Sequence, residues 1–90
     1  MLGLEGKKAI VTGGAWGIGR AISLRLGKEG VAVGILDLDE AKARETTTEI
    51  RAVGGKATSE YCNISDYGCI EQAVSKIEEL NGSTDILVNN

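Results

Sequence analysis

The sequence predicts an α/β fold: a doubly wound parallel sheet with strand order 3-2-1-4, of which the second half is incomplete. Short apolar runs of strand length alternate three times with longer segments of helical periodicity, and a further apolar run follows. A glycine-dense turn joins the first run to the first helical segment, and an aspartate ends the second run. Because helical connectors separate successive strands, we expect parallel pairing with right-handed crossovers.

The first half of the chain predicts strand one over Lys7–Thr12 and a helix from about Gly17 to Glu29. Gly30 is well placed to end that helix, and strand two follows over Val31–Leu36 and stops at Asp37. Apolar residues at helical spacing predict the core-facing stripe of this first helix: Ile18, Ala21, Ile22 and Leu26.

The second helix is predicted to begin at an Asp39 N-cap and to end at Gly54-Gly55. Strand three, Ala57–Tyr61, is less apolar, so we expect it nearer the sheet edge. The predicted core side of this helix is Ala43, Thr47, Ile50 and Val53.

The third helix is predicted to begin at Ser65 or Asp66 and to end at Asn81-Gly82. The last strand, Asp85–Val88, has the apolar character of a strand buried on both faces, yet no later segment covers its far edge. Residues 1–90 are therefore expected to be the first part of a longer domain. The predicted core stripe of the third helix is Ile70, Ala73, Val74, Ile77 and Leu80.

The glycine turn has the spacing of a dinucleotide-binding loop. Gly13 can adopt positive φ, Gly17 leaves room for a diphosphate to approach backbone N–H groups, and Gly19 permits close helix packing. The unpaired N–H groups and the helix dipole favour an anion at this helix N-terminus. No Gly-Lys-Ser/Thr follows, which argues against a nucleotide triphosphatase. The alternative is a tight turn with a structural role alone.

Asp37, at the end of strand two, is placed to accept hydrogen bonds from the ribose hydroxyls of an adenosine. Its carboxylate would repel a 2′-phosphate. A pocket that binds this phosphate would need Arg or Lys nearby, but those positions hold Trp16 and Leu38. The sequence therefore predicts NAD rather than NADP as cofactor. The alternative is that Asp37 only caps a turn.

Composition excludes several classes of function. A net charge of −3 without a basic block argues against nucleic acid as a partner. The apolar runs are shorter than a membrane span, and no signal-peptide pattern opens the chain, so we expect a cytoplasmic protein. Cys62 and Cys69 have no metal-ligand spacing and the chain has no His, so no metal site is predicted and reduced thiols are expected.

Four segments together resemble the short-chain dehydrogenase/reductase family, whose fold is of the Rossmann type. Thr12–Gly19 matches the family's Thr-Gly-x-x-x-Gly-x-Gly loop, and Asp85–Asn90 matches the start of its Asn-Asn-Ala-Gly motif. Asp37 and Asn63-Ile64 stand at the family's spacing between them. The resemblance implies that Asn63 and Ile64 meet the adenine ring, that Asn90 approaches the nicotinamide ribose and that Asn89 braces the sheet. The cofactor-binding residues that it implies are Gly13, Trp16, Gly17, Ile18, Asp37, Asn63, Ile64 and Asn90.

The resemblance implies an oxidoreductase that transfers a hydride between NAD(H) and the carbinol or carbonyl carbon of a small secondary alcohol or ketone. It also implies that the full-length protein assembles as a homodimer or homotetramer. The family's catalytic Ser, Tyr and Lys follow strand four, so none is expected in these residues; Tyr61 and Tyr67 lie too early and lack the Tyr-x-x-x-Lys spacing. The alternatives are a noncatalytic nucleotide-binding module and a structural fragment with a vestigial loop. The sequence does not identify the alcohol or ketone.

Overall fold

The computed structural model describes residues 3–90 of the 90-residue chain. These residues alternate strand and helix along their whole length. The elements, in chain order, are β1 (Lys8–Thr12), α1 (Gly17–Lys28), β2 (Ala32–Asp37), α2 (Glu40–Ala52), β3 (Lys56–Tyr61), α3 (Tyr67–Asn81) and β4 (Ile86–Asn89).

The four strands form one sheet of order β3-β2-β1-β4, and every pairing is parallel. Val11 of β1 lies in register with Ile35 of β2 on one side and Val88 of β4 on the other. The predicted fold class and strand order are confirmed, and β3 lies at an edge as expected. Each strand ends on the same side of the sheet, so the loops that follow β1, β2, β3 and β4 share one edge.

Helices cover both faces of the sheet. One face, with α1 and α2, holds a core that includes Val11, Val33, Ile35 and Ile50. The other face, with α3, holds a smaller core of Ile10, Leu36, Cys62, Ala73 and Ile77. Adjacent residues of β1 and β2 therefore enter opposite cores, which explains why both strands are almost continuously apolar.

The predicted core stripe of α1 is wrong at Ile18 and Ala21, whereas Leu26 packs against the core as expected. Ile18 is 73% exposed and Ala21 is also exposed, while Ile22 and Leu26 are only partly buried. The buried residues of α1 are the small ones, Gly19, Ser23 and Gly27. A Cβ on Gly27 would lie 2.6 Å from Ile50 Cγ2, so α1 and α2 pack too closely to admit a larger residue there.

Three further apolar residues are exposed against expectation. Val53 is at the C-cap of α2, and Leu80 is in the last turn of α3. Leu87 of β4 is 65% exposed, so β4 is not buried on both faces. Only β1 pairs with β4 within residues 3–90, and no described helix covers Leu87.

The helix ends follow the predicted capping residues. The Asp39 side chain accepts a hydrogen bond from the Lys42 amide at 3.0 Å, and Asp66, rather than Ser65, caps α3 through the Cys69 amide at 3.2 Å. Gly30 and Gly82, which follow α1 and α3, have φ of 85° and 89°. Within residues 3–90, none of the helices has both the length and the apolar character needed to cross a membrane.

Candidate functional site

The candidate site lies at the carboxyl edge of the sheet, where the winding reverses between β1 and β4. Ligands of open α/β sheets bind at this kind of position because the connections on its two sides leave to opposite faces. Gly13 leaves β1 with φ of 66°, and its amide donates to the Leu36 carbonyl at 2.8 Å. The turn after β1 is therefore tied to the end of β2.

The start of α1 packs directly on this turn. A Cβ on Gly19 would lie 2.2 Å from the Gly13 carbonyl oxygen and 2.6 Å from Asn90 Nδ2. A Cβ on Gly14 would lie 2.8 Å from the Ser23 hydroxyl oxygen. The sequence predicted close packing at Gly19, and the structure identifies the contact as the Gly13 turn rather than the body of the sheet.

The N-terminus of α1 is open, in contrast to those of α2 and α3. Trp16 occupies its N-cap, and among residues 3–90 no side chain caps it. Its first turn also carries no acidic residue, and a Cβ on Gly17, whose φ is 51°, would meet no described heavy atom within 4 Å. Since the first-turn N–H groups of a helix have no partner within it, this end is suited to bind an anion.

Asp37 is buried at the end of β2, and both of its carboxylate oxygens accept backbone hydrogen bonds. Oδ2 accepts from the Ala15 amide at 3.2 Å, and Oδ1 accepts from the Asp39 amide at 2.9 Å. Asp37 therefore does cap the turn, as the alternative interpretation predicted. It leaves room for a ligand as well, because a carboxylate offers about four lone-pair sites.

A small apolar cavity of about 90 Å³ opens beside Asp37. Gly13, Leu36, Leu38 and Ile64 line it together with Asp37, and so does Cys62, which the sequence did not single out for this site. Cys62 follows β3, and its amide donates to the Asp37 carbonyl at 3.0 Å. A signal was present in the sequence, because the residue after a parallel strand lies at the edge where the ligand binds.

Asn63 is engaged in a local turn. Its side-chain oxygen accepts hydrogen bonds from the Ser65 amide at 3.1 Å and the Ser65 hydroxyl at 2.6 Å. The acceptor that the resemblance assigns to an adenine amino group therefore already has two protein donors. Ile64, by contrast, faces the cavity with its side chain 46% exposed.

Asn90 lies against the glycine turn. Its amide nitrogen Nδ2 donates to the Gly13 carbonyl at 3.4 Å, and its backbone N–H donates to the Thr12 hydroxyl at 3.1 Å. That hydroxyl lies 3.4 Å from Asn89 Oδ1, so the two asparagines link the ends of β1 and β4.

Trp16 is exposed beside the start of α2. The ammonium group of Lys42 lies 4.8 Å above the centre of its ring, a cation–π distance. The sequence did not single out Lys42, which lies one helical turn after the Asp39 N-cap. Nη2 of Arg20 donates to both carboxylate oxygens of Glu49 of α2, an ion pair between the two helices.

Two structural features lie outside this arrangement. A larger cavity, of about 400 Å³, lies between α2 and β3 and is lined by side chains such as Arg44, Arg51 and Thr58. It includes none of the glycine turn. In residues 3–90, no three His, Cys, Asp or Glu side chains are grouped so as to hold a metal ion.

Known proteins share both the sequence and the geometry. The 7alpha-hydroxysteroid dehydrogenase of Clostridium sardiniense is 42% identical over 87 residues, covering 97% of this chain and 33% of that protein. A dehydrogenase/reductase from Sinorhizobium meliloti 1021 superposes with a TM-score of 0.92 at 42% identity, over 96% of this chain and 34% of that one. A metagenomic short-chain oxidoreductase in complex with NADP gives 0.89 at 38% identity, over 96% and 39%.

The chain thus spans about a third of the length of these relatives. The model of the family described as short chain dehydrogenase matches residues 7–90, including β1, the glycine turn, Asp37 and the end of β4. The chain belongs to the short-chain dehydrogenase family.

Proposed function

We propose that the chain is the cofactor-binding part of an oxidoreductase that transfers a hydride between a nicotinamide dinucleotide and the carbinol or carbonyl carbon of a small secondary alcohol or ketone. The observation that carries the proposal is the uncapped N-terminus of α1, aligned with the positive-φ turn at Gly13. The nicotinamide supplies the hydride chemistry when it is bound, and the residues described above bind and orient the cofactor.

The diphosphate is assigned to the start of α1. Backbone N–H groups from Trp16, Gly17 and Ile18 onward belong to the first turn, where a negative group is stabilised by the helix dipole. Gly17 presents no side chain towards this space, and Gly13 shapes the turn below it. The exposed rings and methyl groups of Trp16 and Ile18 would border the bound cofactor.

The adenosine is assigned to the cavity beside Asp37. The carboxylate would accept the ribose hydroxyls, and Ile64 would contact the adenine ring. Asn63 would reach the ring only by sharing its oxygen with Ser65 or by rotating its amide. Asn90, which braces the Gly13 turn, is assigned to the nicotinamide side.

Asp37 supports NAD as the preferred cofactor, because a buried carboxylate repels a 2′-phosphate. One observation favours NADP as a second candidate: Lys42, above Trp16, is a cation close to this side of the site. Lys42 also lies 3.5 Å from Glu45, which offsets its charge. We therefore rank NAD first and expect Lys42→Ala to weaken binding of NADPH alone.

We also propose that these residues form the N-terminal part of one domain whose catalytic Ser, Tyr and Lys lie after β4. The exposure of Leu87 and the free side of β4 within residues 3–90 support a sheet that continues there. A cytoplasmic homodimer or homotetramer completes the proposal, and it rests on the family alone.

The test is a titration of the purified protein with NADH and, separately, with NADPH. Trp16 is the sole tryptophan of the chain and lies at the N-terminus of α1, so its fluorescence reports on the site directly. We expect saturable binding of NADH and weaker binding of NADPH. Asp37→Asn should weaken NADH binding about 10- to 100-fold, because a hydrogen bond to a charged group contributes roughly 1.5–3 kcal/mol.

The matched control is Asp39→Asn, which removes the same charge two residues away. Asn caps a helix about as well as Asp, so this variant should keep both the fold and the preference for NADH. Equal affinity of the unaltered protein for NADH and NADPH would contradict the assignment to Asp37. Absence of binding by folded protein would contradict a complete cofactor site within residues 1–90.

A further inference from the structure

Cys62 and Cys69 lie side by side next to the cavity that we assign to the adenosine. Cys62 is fully buried with Ile10 and Leu36, and it lines that cavity beside Asp37. Cys69 packs against the same cluster, and its Sγ lies 3.9 Å from the carbonyl oxygen of Tyr61, the residue bonded to Cys62. The two cysteines are therefore neighbours in the folded protein.

Cys69 connects this buried pair to solvent. It is the third residue of α3, partly buried, and its thiol donates to the Tyr61 carbonyl at 3.9 Å. It also lines a separate open cavity of about 270 Å³ together with Gln72 and Lys76. One thiol of the pair can thus be reached from outside, while the other forms part of the wall of the candidate cofactor site.

We propose that Cys62 and Cys69 form a reversible intramolecular disulfide under hydroperoxide, and that its closure lowers cofactor affinity. The effect on the cofactor rests on the proposed function, whereas formation of the disulfide does not. The two cysteines lack a third ligand among the described residues, so a metal site at this place is not supported.

The reaction proceeds in two steps. The Cys69 thiolate attacks one oxygen of the hydroperoxide, the O–O bond breaks, and the leaving alkoxide or hydroxide takes up a proton, which leaves Cys69 as a sulfenic acid. The Cys62 sulfur then attacks the Cys69 sulfur, gives up its proton and displaces hydroxide, which leaves as water. Two thiols lose two electrons in total, and the hydroperoxide accepts both.

The surroundings of the two thiols set this order. Cys69 is the partly exposed member of the pair, so an oxidant in solution reaches its sulfur first. Burial, together with Cys69 and the nearby Asp66 carboxylate, raises the pKa of Cys62 to about 11, so Cys62 reacts poorly with an oxidant in solution. Cys62 instead meets the sulfenic acid at close range, where its low thiolate fraction is offset by proximity.

Closure of the disulfide has to move the segment that carries Asn63 and Ile64. A disulfide bond holds its sulfur atoms about 2.05 Å apart, which is far shorter than any contact between free thiols. The segment 62–69 must tighten to bring them together, and Cys62 leaves its place in the wall beside Asp37. Ile64, whose side chain lines the same cavity, is displaced with it.

The first measurement follows the covalent change. Reduced protein is treated with hydrogen peroxide, free thiols are blocked in denaturant, and the intact mass and peptide map are recorded before and after reduction by dithiothreitol. We expect a monomer that loses two hydrogens, a Cys62–Cys69 cross-linked peptide, and full recovery of both thiols. In Cys62→Ala, Cys69 should instead accumulate added oxygen.

A Cys69 that advances to sulfinic acid in the unaltered protein while Cys62 stays free would overturn the proposal, as would disulfides between chains only. The peptide map of the unaltered protein decides this point even if Cys62→Ala does not fold.

The second measurement compares NADH binding by the reduced and oxidised forms. We expect the oxidised form to bind NADH at least about fivefold more weakly than the reduced form. Dithiothreitol should reverse this change, and Cys69→Ser should abolish it. Equal affinities in both forms would refute the coupling to the cofactor. If the reduced form binds no NADH, the proposed function fails, and the disulfide is then judged on the mass measurement alone.

Discussion

The contact between Gly19 and Gly13 makes a strong prediction about stability. Both Gly19 and Gly68 lie in the first turn of a helix, in α1 and α3, so replacement by Ala should improve helix propensity at either position by up to about 1 kcal/mol. At Gly68 the new Cβ meets only Asp66 Oδ1, at 3.5 Å, which is an ordinary contact. Gly68→Ala is therefore expected to stabilise the protein.

At Gly19 the new Cβ would lie 2.2 Å from the Gly13 carbonyl oxygen. Real Cβ contacts essentially never fall below 3.0 Å, so the helix and the turn must separate by most of an ångström. Both partners are backbone, and neither can rotate away. Overpacking of this kind costs about 3 kcal/mol at the upper end of the usual range, so the net destabilisation is about 2 kcal/mol after the gain in propensity.

Thermal unfolding followed by circular dichroism measures both variants. For a domain of this size, Gly19→Ala should lower Tm by about 10 °C, and Gly68→Ala should leave it unchanged or raise it. Equal stability of the two variants would refute the close packing at the Gly13 turn. Binding of NADH should fall with Gly19→Ala, because the same displacement moves Gly13 and Asn90.

Other positions give smaller, independent tests. Asp66→Ala removes the cap of α3 and should lower the free energy of unfolding by about 1 kcal/mol, measured by urea denaturation, whereas Asp66→Asn should be near neutral. Ile77→Ala opens the smaller core and should cost about 2–5 kcal/mol in the same assay, while Leu80→Ala, at an exposed position of the same helix, should change little. The pKa of Cys62 is raised from 9.0 to about 11 in the folded protein. The free energy of unfolding of the reduced protein should therefore fall as pH rises from 9 to 11, because the thiol ionises first in the unfolded chain. Cys62→Ala should remove this dependence on pH. The Thr84 amide lowers the pKa of Glu78. The stabilisation from Glu78 should therefore be present at neutral pH and lost as pH falls below the ordinary pKa of a glutamate. Glu78→Gln should remove the dependence of Tm on pH in that acidic range.

Local sequence features predicted the elements and their ends. Strand and helix boundaries fell within a residue or two of the predicted ones, since caps such as Asp39 and end glycines such as Gly30 act through their own neighbours in the chain. The strand order followed from the alternation of elements together with the position of the glycine turn.

Which face of each helix is buried was harder to predict. An apolar stripe in α1 suggested a core face that included Ile18 and Ala21, yet both are exposed, and the fully buried residues are Gly19, Ser23 and Gly27. Where two helices approach closely, only small residues fit between them. Such residues are weakly hydrophobic, so they do not stand out in a pattern of apolar residues at helical spacing. Val53 and Leu80 were predicted to be buried but are exposed, and each lies at the C-terminal end of its helix.

Some features of the candidate site were likewise predicted from the sequence, and others depend on tertiary contacts. The sequence by itself determined the glycine turn, the carboxylate at the end of β2 and the asparagines after β4, because each is bound to a fixed place along a strand or turn. Only the tertiary structure placed Lys42 above Trp16, occupied the oxygen of Asn63 with Ser65, and set Cys62 beside both Cys69 and the cavity. These contacts join side chains of different elements, or fix rotamers that spacing leaves open. They depend on how closely and at what angle the helices pack on the sheet, which is decided by the fit of all side chains at once.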